Sequence, residues 1–153
     1  MINKCNNEGG FTLIELIMII VILGMLAAVS FPKYQDIALE AKKEICKNSL
    51  MSMRSAISIW QMNNVVKSHL VIFPDINSLR NPNTVLIQVP PNPFQSENKA
   101  PDSVVLGVVK GVRVGFRGGW AYKPSTGEIW ANTITYAGGS GCSGGTLINE
   151  NLW

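Results

Sequence analysis

Residues 11–31 have the sequence FTLIELIMIIVILGMLAAVSF, and this stretch decides the fold of the N-terminal part of the chain. It contains one charged side chain, Glu15, and no charge lies between Leu16 and Pro32. A run of this length matches the roughly 20 apolar residues that a helix needs to cross the hydrocarbon core of a bilayer. A core helix of a globular domain would have a polar face, whereas this segment is apolar all round. The sequence therefore predicts a membrane-spanning helix.

Glu15 is the exceptional residue of this run. An ionised carboxylate at the centre of a membrane span costs about 2.5–3.5 kcal/mol on insertion scales. One interpretation is that Glu15, close to the start of the run, lies at the membrane interface and stays hydrated. The other is that its charge is there for a positively charged partner. Position alone does not separate the two interpretations.

The residues around Glu15 form a specific motif. Residues 9–16 have the sequence GGFTLIEL, in which a short polar leader ends in Gly and is followed by Phe, a Thr-Leu-Ile-Glu run and a long apolar helix. This block resembles the signature of the type IV prepilin and pseudopilin family. Membership of that family implies a structural subunit that is not an enzyme and that assembles with identical or related subunits into a filament.

The resemblance implies a role for each residue of the motif. A prepilin peptidase would cut between Gly10 and Phe11, and the new amino terminus at Phe11 would be N-methylated. The family's glutamate, five positions into the mature chain, corresponds to Glu15, which implies a role in filament assembly. The residues that soften the helix in the family correspond to Gly24 and Pro32. The implied partners are the peptidase, the assembly machinery of the inner membrane and the membrane itself.

Elementary chemistry supports these roles. Gly10 has no Cβ, so an extended backbone can enter a protease site there. Cleavage would create a cationic amine at Phe11, which Glu15 of a neighbouring subunit can neutralise in an apolar environment. Gly24 lowers helix propensity, and Pro32 removes one backbone hydrogen bond, so the segment between them can bend.

Two other export signals are alternatives to the motif. Ala28-Val29-Ser30 is a small-x-small pattern that a signal peptidase could cut, which would leave Phe31 as the mature start. The apolar run is longer than the usual 7–15 residues of such a signal, and Glu15 lies inside it. Double-glycine leaders lack the membrane span that follows here. The corresponding alternative function is a signal-anchored periplasmic binding or adhesion domain.

The chain is predicted to have four parts. These are a leader (1–10), a transmembrane and assembly helix (11–32), an amphipathic second half of the same helix (33–64) and a globular head (65–153). The second half has Glu–Lys pairs at i,i+3, which suit an exposed helix face. It also has an apolar stripe that predicts packing on the head. The pairs are Glu40 with Lys43 and Glu44 with Lys47, and the stripe is Cys46, Leu50, Met53, Ile57 and Trp60.

Asn63-Asn64 is predicted to end the helix. After it, Asp75 is a candidate cap for a helical turn that runs through Leu79. The three prolines in 90–94 exclude a central strand there. Strand character is predicted for 104–109 and 119–123, and an alternating half-exposed strand for 112–117.

The sharpest pattern in the head is at 119–130, where Pro124 and Gly127 predict the turn of a β-hairpin. The side chains of Trp120, Tyr122 and Trp130 would then pack on the long helix across the strands, which we favour over a binding platform. The predicted fold class is α+β and pilin-like, with the helix packed on a small antiparallel sheet.

No cofactor, metal site or catalytic constellation is predicted. His69 is the only histidine, which argues against a zinc site. Major pseudopilins often bind calcium in a C-terminal loop, but residues 136–153 supply one carboxylate, Glu150. The basic residues Lys110, Arg113 and Arg117 fit a solvated strand face better than DNA contact. A net charge of +3 also gives no argument for a nucleic-acid partner.

Removal of the leader, which contains Cys5, would leave Cys46 and Cys142 as the two thiols of the chain. In an oxidising compartment such a pair permits a disulfide. The alternative is that Cys46 is a small buried hydrophobe and Cys142 a free thiol. The predicted location is the inner membrane, with a single span and a periplasmic or extracellular head, and later a filament. The sequence does not distinguish a pilus, a secretion pseudopilus and a DNA-uptake filament, nor a major from a minor subunit.

Overall fold

The long helix α1 begins at Leu13 and ends at Ser68, a length of 56 residues. The structure, a computed structural model, describes residues 10–137 and 146–153. The leader before Gly10 and the glycine loop that contains Cys142 lie outside the described residues. The chain forms two compact units that divide after Ala38 within α1, and each is described here by itself.

The predicted end of α1 at Asn63-Asn64 was too early. The side-chain amide of Asn64 donates to the Trp60 carbonyl at 2.9 Å, so this side chain bonds within the helix and does not end it. No glycine or proline follows until after Ser68. The helix ends at His69, which has a φ of +56° and whose N–H donates to the Val65 carbonyl. A left-handed residue at this position is a common way to end a helix.

The second half of α1 packs by the predicted stripe. Cys46, Leu50, Met53 and Ile57 are buried in the core of the head, while Trp60 is half-buried. The two predicted ion pairs are also present, because Lys43 lies 3.2 Å from Glu40 and Lys47 lies 2.8 Å from Glu44. The amphipathic character of this half is therefore confirmed.

The head contains one three-stranded sheet and several short elements. The sheet consists of β1 (Val104–Leu106), β2 (Trp120–Lys123) and β3 (Glu128–Ala131). A separate two-stranded ladder pairs β4 (Tyr136–Ala137) with β5 (Thr146–Leu147). The short helices are α2 (Ile76–Arg80) and two 3-10 helices, Glu97–Lys99 and Glu150–Leu152.

The predicted hairpin joins β2 and β3, which pair antiparallel. Its turn closes where the Gly127 N–H donates to the Lys123 carbonyl at 2.9 Å, and Gly127 has the left-handed φ of +71° that favours glycine. The third strand differs from the prediction, because β1 pairs with β2 in parallel. The α+β class is confirmed, and the sheet is mixed rather than wholly antiparallel.

One face of the sheet packs on α1. Trp120 and Tyr122 alternate along β2 and lie opposite Ala131 and Ile129 of β3, so all four side chains point to the same side. They belong to the apolar core that contains the buried stripe of α1. Trp130 follows Ile129 and points to the other face, so the prediction that it packs on the helix was wrong.

The segment 107–119, called the strap below, crosses from β1 to β2. Val112-Arg113-Val114 and Phe116-Arg117 do not form the predicted strand, and β1 ends at Leu106 rather than Val109. Three glycines of the strap have positive φ, which breaks an extended conformation. These are Gly111, Gly115 and Gly118, with φ of 79°, 63° and 88°.

The strap covers Trp130 with its backbone. A Cβ on Gly107 would lie 2.3 Å from the ring of Trp130, so only glycine fits there. The indole N–H of Trp130 donates to the Val112 carbonyl at 3.1 Å. Farther along, the Asn132 amide donates to the Val114 carbonyl at 2.9 Å and accepts from the Val114 N–H at 2.6 Å. The outer face of the sheet is thus closed by main chain.

The connection before the sheet agrees with the sequence. Asp75 caps α2, because its carboxylate accepts from the Ser78 N–H at 3.0 Å. Hydrogen bonds to Asp75 from the Ser78 hydroxyl and from this N–H keep the pKa of its carboxyl below the usual range. Residues 90–94 contain no strand, and the Pro90 carbonyl accepts from the Trp120 indole at 2.7 Å. Both predictions for this connection are confirmed.

Candidate functional site

The start of α1 is closed by reciprocal bonds between Thr12 and Glu15. The Glu15 carboxylate accepts from the Thr12 N–H at 2.9 Å and from its hydroxyl at 2.7 Å. The Glu15 N–H donates in turn to the Thr12 hydroxyl at 3.3 Å. This is a capping box, in which two residues three apart satisfy the unpaired N–H groups of a helix start.

The cap is the feature of the site that sequence reasoning missed. Its signal was present, since a Thr followed three residues later by Glu just before an apolar run is the sequence pattern of a capping box. Glu15 was predicted to act only through its charge. Glu15 therefore has a partner within its own helix, in addition to any partner on another subunit.

The first compact unit exposes its apolar surface completely. Every described side chain from residue 10 to residue 37 is exposed, and Phe11 is 78% exposed. Among the described residues, α1 is the one helix that is long and apolar enough to cross a membrane. Monomeric soluble proteins rarely expose contiguous apolar surface of this extent, which marks a site for lipid or for another protein.

The structure also describes the other residues of the predicted motif. Gly10 precedes the helix and is exposed, and among the described residues no atom outside its neighbours lies within 4 Å of the Cβ position. Gly24 is equally unobstructed, and Pro32 lies inside the continuous helix. The structure thus leaves the Gly10–Phe11 bond accessible, while cleavage, methylation and bending themselves stay predictions.

Cys46 is wholly buried on the stripe of α1. Burial, together with the negative charge of Glu150, raises the pKa of its thiol to about 12. Cys142 lies outside the described residues, so the disulfide between the two stays a prediction.

Glu150 is also wholly buried, and neither of its carboxylate oxygens has a hydrogen-bond partner within the described part of the chain. Within residues 10–137 and 146–153, no three His, Cys, Asp or Glu side chains come together as a metal would require. His69 lies at the end of α1, away from any such group. The candidate site is the N-terminal helix, with its capping box and its exposed apolar side chains.

Comparison with known families supports this assignment. Residues 5–31 match the family model described as the prokaryotic N-terminal methylation motif. The match covers residues 5–10 of the leader, the capping box and the whole apolar run. It therefore includes Gly10, Phe11, Glu15 and Gly24.

Several known proteins are similar over the N-terminal part of the chain. The Type II secretion system core protein G of Pseudomonas aeruginosa is 33% identical over 57 residues, which cover 37% of this chain and 40% of that protein. A fimbrial protein of Moraxella nonliquefaciens is 38% identical over 58 residues, covering 38% of each. The type IV major pilin protein PilE1 of Neisseria gonorrhoeae is 40% identical over 59 residues, covering 37% of this chain and 34% of that pilin.

The resemblance to type IV prepilins and pseudopilins is thereby confirmed for the N-terminal helix. The proteins that it matches are pilins and a core protein of a secretion system. The chain spans at most 40% of the length of these relatives. No solved structure is significantly similar to it.

Proposed function

We propose that the chain is the precursor of a subunit of a type IV filament, either a pilus or a secretion pseudopilus. The observation that carries this proposal is the methylation motif on an apolar helix that is exposed on all sides. Such a helix needs a bilayer before assembly and other helices after it. The helix forms its own backbone hydrogen bonds in both environments, and both bury its apolar side chains.

Processing is the first step. The helix anchors the precursor in the inner membrane as a single span, and the head lies on the periplasmic or extracellular side. A prepilin peptidase then cuts between Gly10 and Phe11, and the amine of Phe11 is methylated. The exposed, unobstructed backbone at Gly10 supports access by a protease.

Assembly is the second step. The amine of Phe11 on one subunit pairs with the carboxylate of Glu15 on its neighbour, which removes two uncompensated charges from an apolar environment. Gly24 and Pro32 let the span bend as the subunit leaves the bilayer. The inner-membrane assembly machinery and related subunits are the partners of this step.

The mature N-terminus tests the proposal. We would express the chain in a host that has a prepilin peptidase and measure the intact mass and N-terminal peptide of the membrane-bound product. The expected product begins at Phe11 and carries one additional methyl group. Gly10→Val should keep the leader, because a branched side chain obstructs the cleavage site.

Ser30→Val is the matched control, since it disturbs only the alternative signal-peptidase pattern at Ala28-Val29-Ser30. It should mature normally. A native N-terminus at Phe31, or normal maturation of Gly10→Val, would contradict the proposal. The first of these outcomes would favour a signal-anchored binding or adhesion domain instead.

A further inference from the structure

The outer surface of the strap is unusually apolar for an exposed loop. Four of its side chains are more than half exposed: Val108 at 70%, Val109 at 59%, Val112 at 54% and Phe116 at 72%. They lie within nine consecutive residues. Contiguous exposed apolar side chains are uncommon on soluble proteins and often mark an interaction site.

The packing of the strap explains why these side chains point outward. The strap meets the buried Trp130 through Gly107 and through the carbonyl of Val112. Its next contact is again backbone, from both polar groups of Val114 to Asn132. Because main chain fills the inner side, the valine and phenylalanine side chains do not contribute to closing the core. Their apolar character needs another explanation.

The charge of the same region has one sign. The strap, residues 107–119, contains three cations and no Asp or Glu. Lys110 lies 3.6 Å from Glu128, whereas Arg113 and Arg117 form no salt bridge with any described residue. Arg113 instead stacks on the ring of Phe116 at 4.7 Å. The exposed apolar side chains are thus interspersed with two uncompensated guanidinium groups.

We propose that the outer surface of the strap docks on a bilayer that contains anionic lipid. Apolar side chains that enter the headgroup region, next to Arg and Lys that bind phosphate groups, are the features of surfaces that lie on membranes. This inference rests on the membrane anchorage in the proposed function, because an anchored head works beside a bilayer. Docking would hold the head on the membrane before the subunit enters a filament.

Charge and composition favour lipid over the other anionic partners. A surface for single-stranded nucleic acid needs several aromatic rings for base stacking. Phe116 is the one aromatic side chain of the strap, and its exposed valines cannot stack on bases. A second copy of this chain offers little acidic surface on the amphipathic half of α1, because two of its three acids, Glu40 and Glu44, are already paired with lysines and only Asp36 remains.

Hydrogen–deuterium exchange of the full mature chain in lipid nanodiscs tests the docking. Discs of phosphatidylcholine alone are compared with discs that also contain phosphatidylglycerol. The backbone amides of the strap should exchange several-fold more slowly in the anionic discs. Equal exchange of the strap in the two kinds of disc overturns the proposal.

Two pairs of variants identify the cause of the protection. Each cation at an anionic surface favours the docked state by about fivefold, so Arg113→Gln/Arg117→Gln should lower the ratio of docked to free heads by about thirtyfold. Lys42→Gln/Lys67→Gln removes two exposed cations from α1 and should leave the strap protected. If both variants behave alike, a specific surface on the strap is excluded.

The apolar side chains are tested in the same way. Val109→Ser/Phe116→Ser should remove the protection, and Val66→Ser/Ile87→Ser, exposed apolar residues elsewhere, should not. The near-ultraviolet circular dichroism of the aromatic side chains verifies that each variant is folded. Retained protection in Val109→Ser/Phe116→Ser contradicts insertion.

Two controls separate this inference from the proposed function. Co-elution of the chain with the discs reports on anchorage, and its failure contradicts both proposals. A chain that co-elutes while its strap exchanges freely contradicts the docking alone. Protection by an added single-stranded oligonucleotide, without protection by anionic lipid, would assign the surface to nucleic acid and overturn the proposal.

Discussion

The Glu15 carboxylate accepts two hydrogen bonds from Thr12, at 2.9 Å from its backbone N–H and at 2.7 Å from its hydroxyl. Glu15 thus has a structural role in its own helix besides the role in assembly that we propose. Loss of the side chain removes both roles at once. A test of the assembly role must therefore keep the cap and remove only the charge.

Glu15→Gln makes this separation. Glutamine also completes a capping box, so the variant should insert in the membrane and start its helix normally, yet enter filaments as poorly as Glu15→Ala. Thr12→Val is the converse control, because it weakens the cap and keeps the charge. Filaments sheared from cells and quantified by immunoblot give the measurement. If Glu15→Gln assembles as well as the wild type, the carboxylate serves the cap alone.

Gly107 should tolerate no side chain. The Cβ of Gly107→Ala would lie 2.3 Å from the buried ring of Trp130, and overpacking of this kind costs about 1–3 kcal/mol of the free energy of unfolding. Gly24→Ala is the matched control, since nothing lies within 4 Å of its Cβ position. Urea unfolding of the head, monitored by tryptophan fluorescence, compares the free energies of unfolding of the two variants. Equal stability of the two variants would show that the strap does not press on Trp130.

Tyr122 should make the head sensitive to alkaline pH. Its hydroxyl donates to the Pro74 carbonyl at 2.8 Å, and burial, helped by the charge of Asp75, raises its pKa to about 12. The folded chain therefore holds this proton more tightly than the unfolded chain, in which the pKa is about 10. The resulting stabilisation is complete below pH 10 and is lost as the pH rises through 12.

Tyr122→Phe removes this dependence. The variant should lose about 0.5–1.5 kcal/mol at neutral pH, and the difference from the wild type should shrink between about pH 10 and pH 12. Tyr34→Phe is the matched control, because Tyr34 is exposed. Unfolding midpoints across this pH range give the comparison. A constant difference between wild type and Tyr122→Phe would contradict the raised pKa.

The disulfide between Cys46 and Cys142 needs a denaturing assay. The thiol of Cys46 is buried and has a pKa of about 12, so it would resist alkylation in the folded head whether bonded or not. The alkylation must therefore be carried out on denatured, unreduced mature protein. We expect no label before reduction and two labels after it. Two labels without reduction would show that both cysteines are thiols.

If the bond is present, it should stabilise the head. A link across 95 intervening residues is worth about 4–5 kcal/mol in the chain-entropy model. Reduction should then lower the unfolding midpoint of the wild type and leave that of Cys142→Ser unchanged.

Local patterns in the sequence predicted much of the fold. The apolar run, the stripe from Cys46 to Ile57 and the turn at Pro124 and Gly127 each depend on neighbouring residues, and each was located correctly. The capping box at Thr12 and Glu15 was equally local. It was missed because one residue was assigned a single role.

The strap shows what the sequence alone could not determine. Val112, Arg113 and Val114 alternate as a strand would, but side-chain alternation says nothing about what lies on either side. The conformation there depends on Trp130, which leaves room for main chain and for Gly107 only. The parallel direction of β1 follows from the same crossing, because the strap carries the chain back before β2 begins.

Arg54 connects α1 to the head by hydrogen bonds. Its guanidinium donates to the Ile129 carbonyl at 3.1 Å and also to the carbonyl of Trp153. Apolar packing is non-directional and would accept the helix at several longitudinal positions. A shift by one helical turn, about 5.4 Å, exceeds the reach of a hydrogen bond. This side chain thus links the amphipathic half of α1 to two segments of the head.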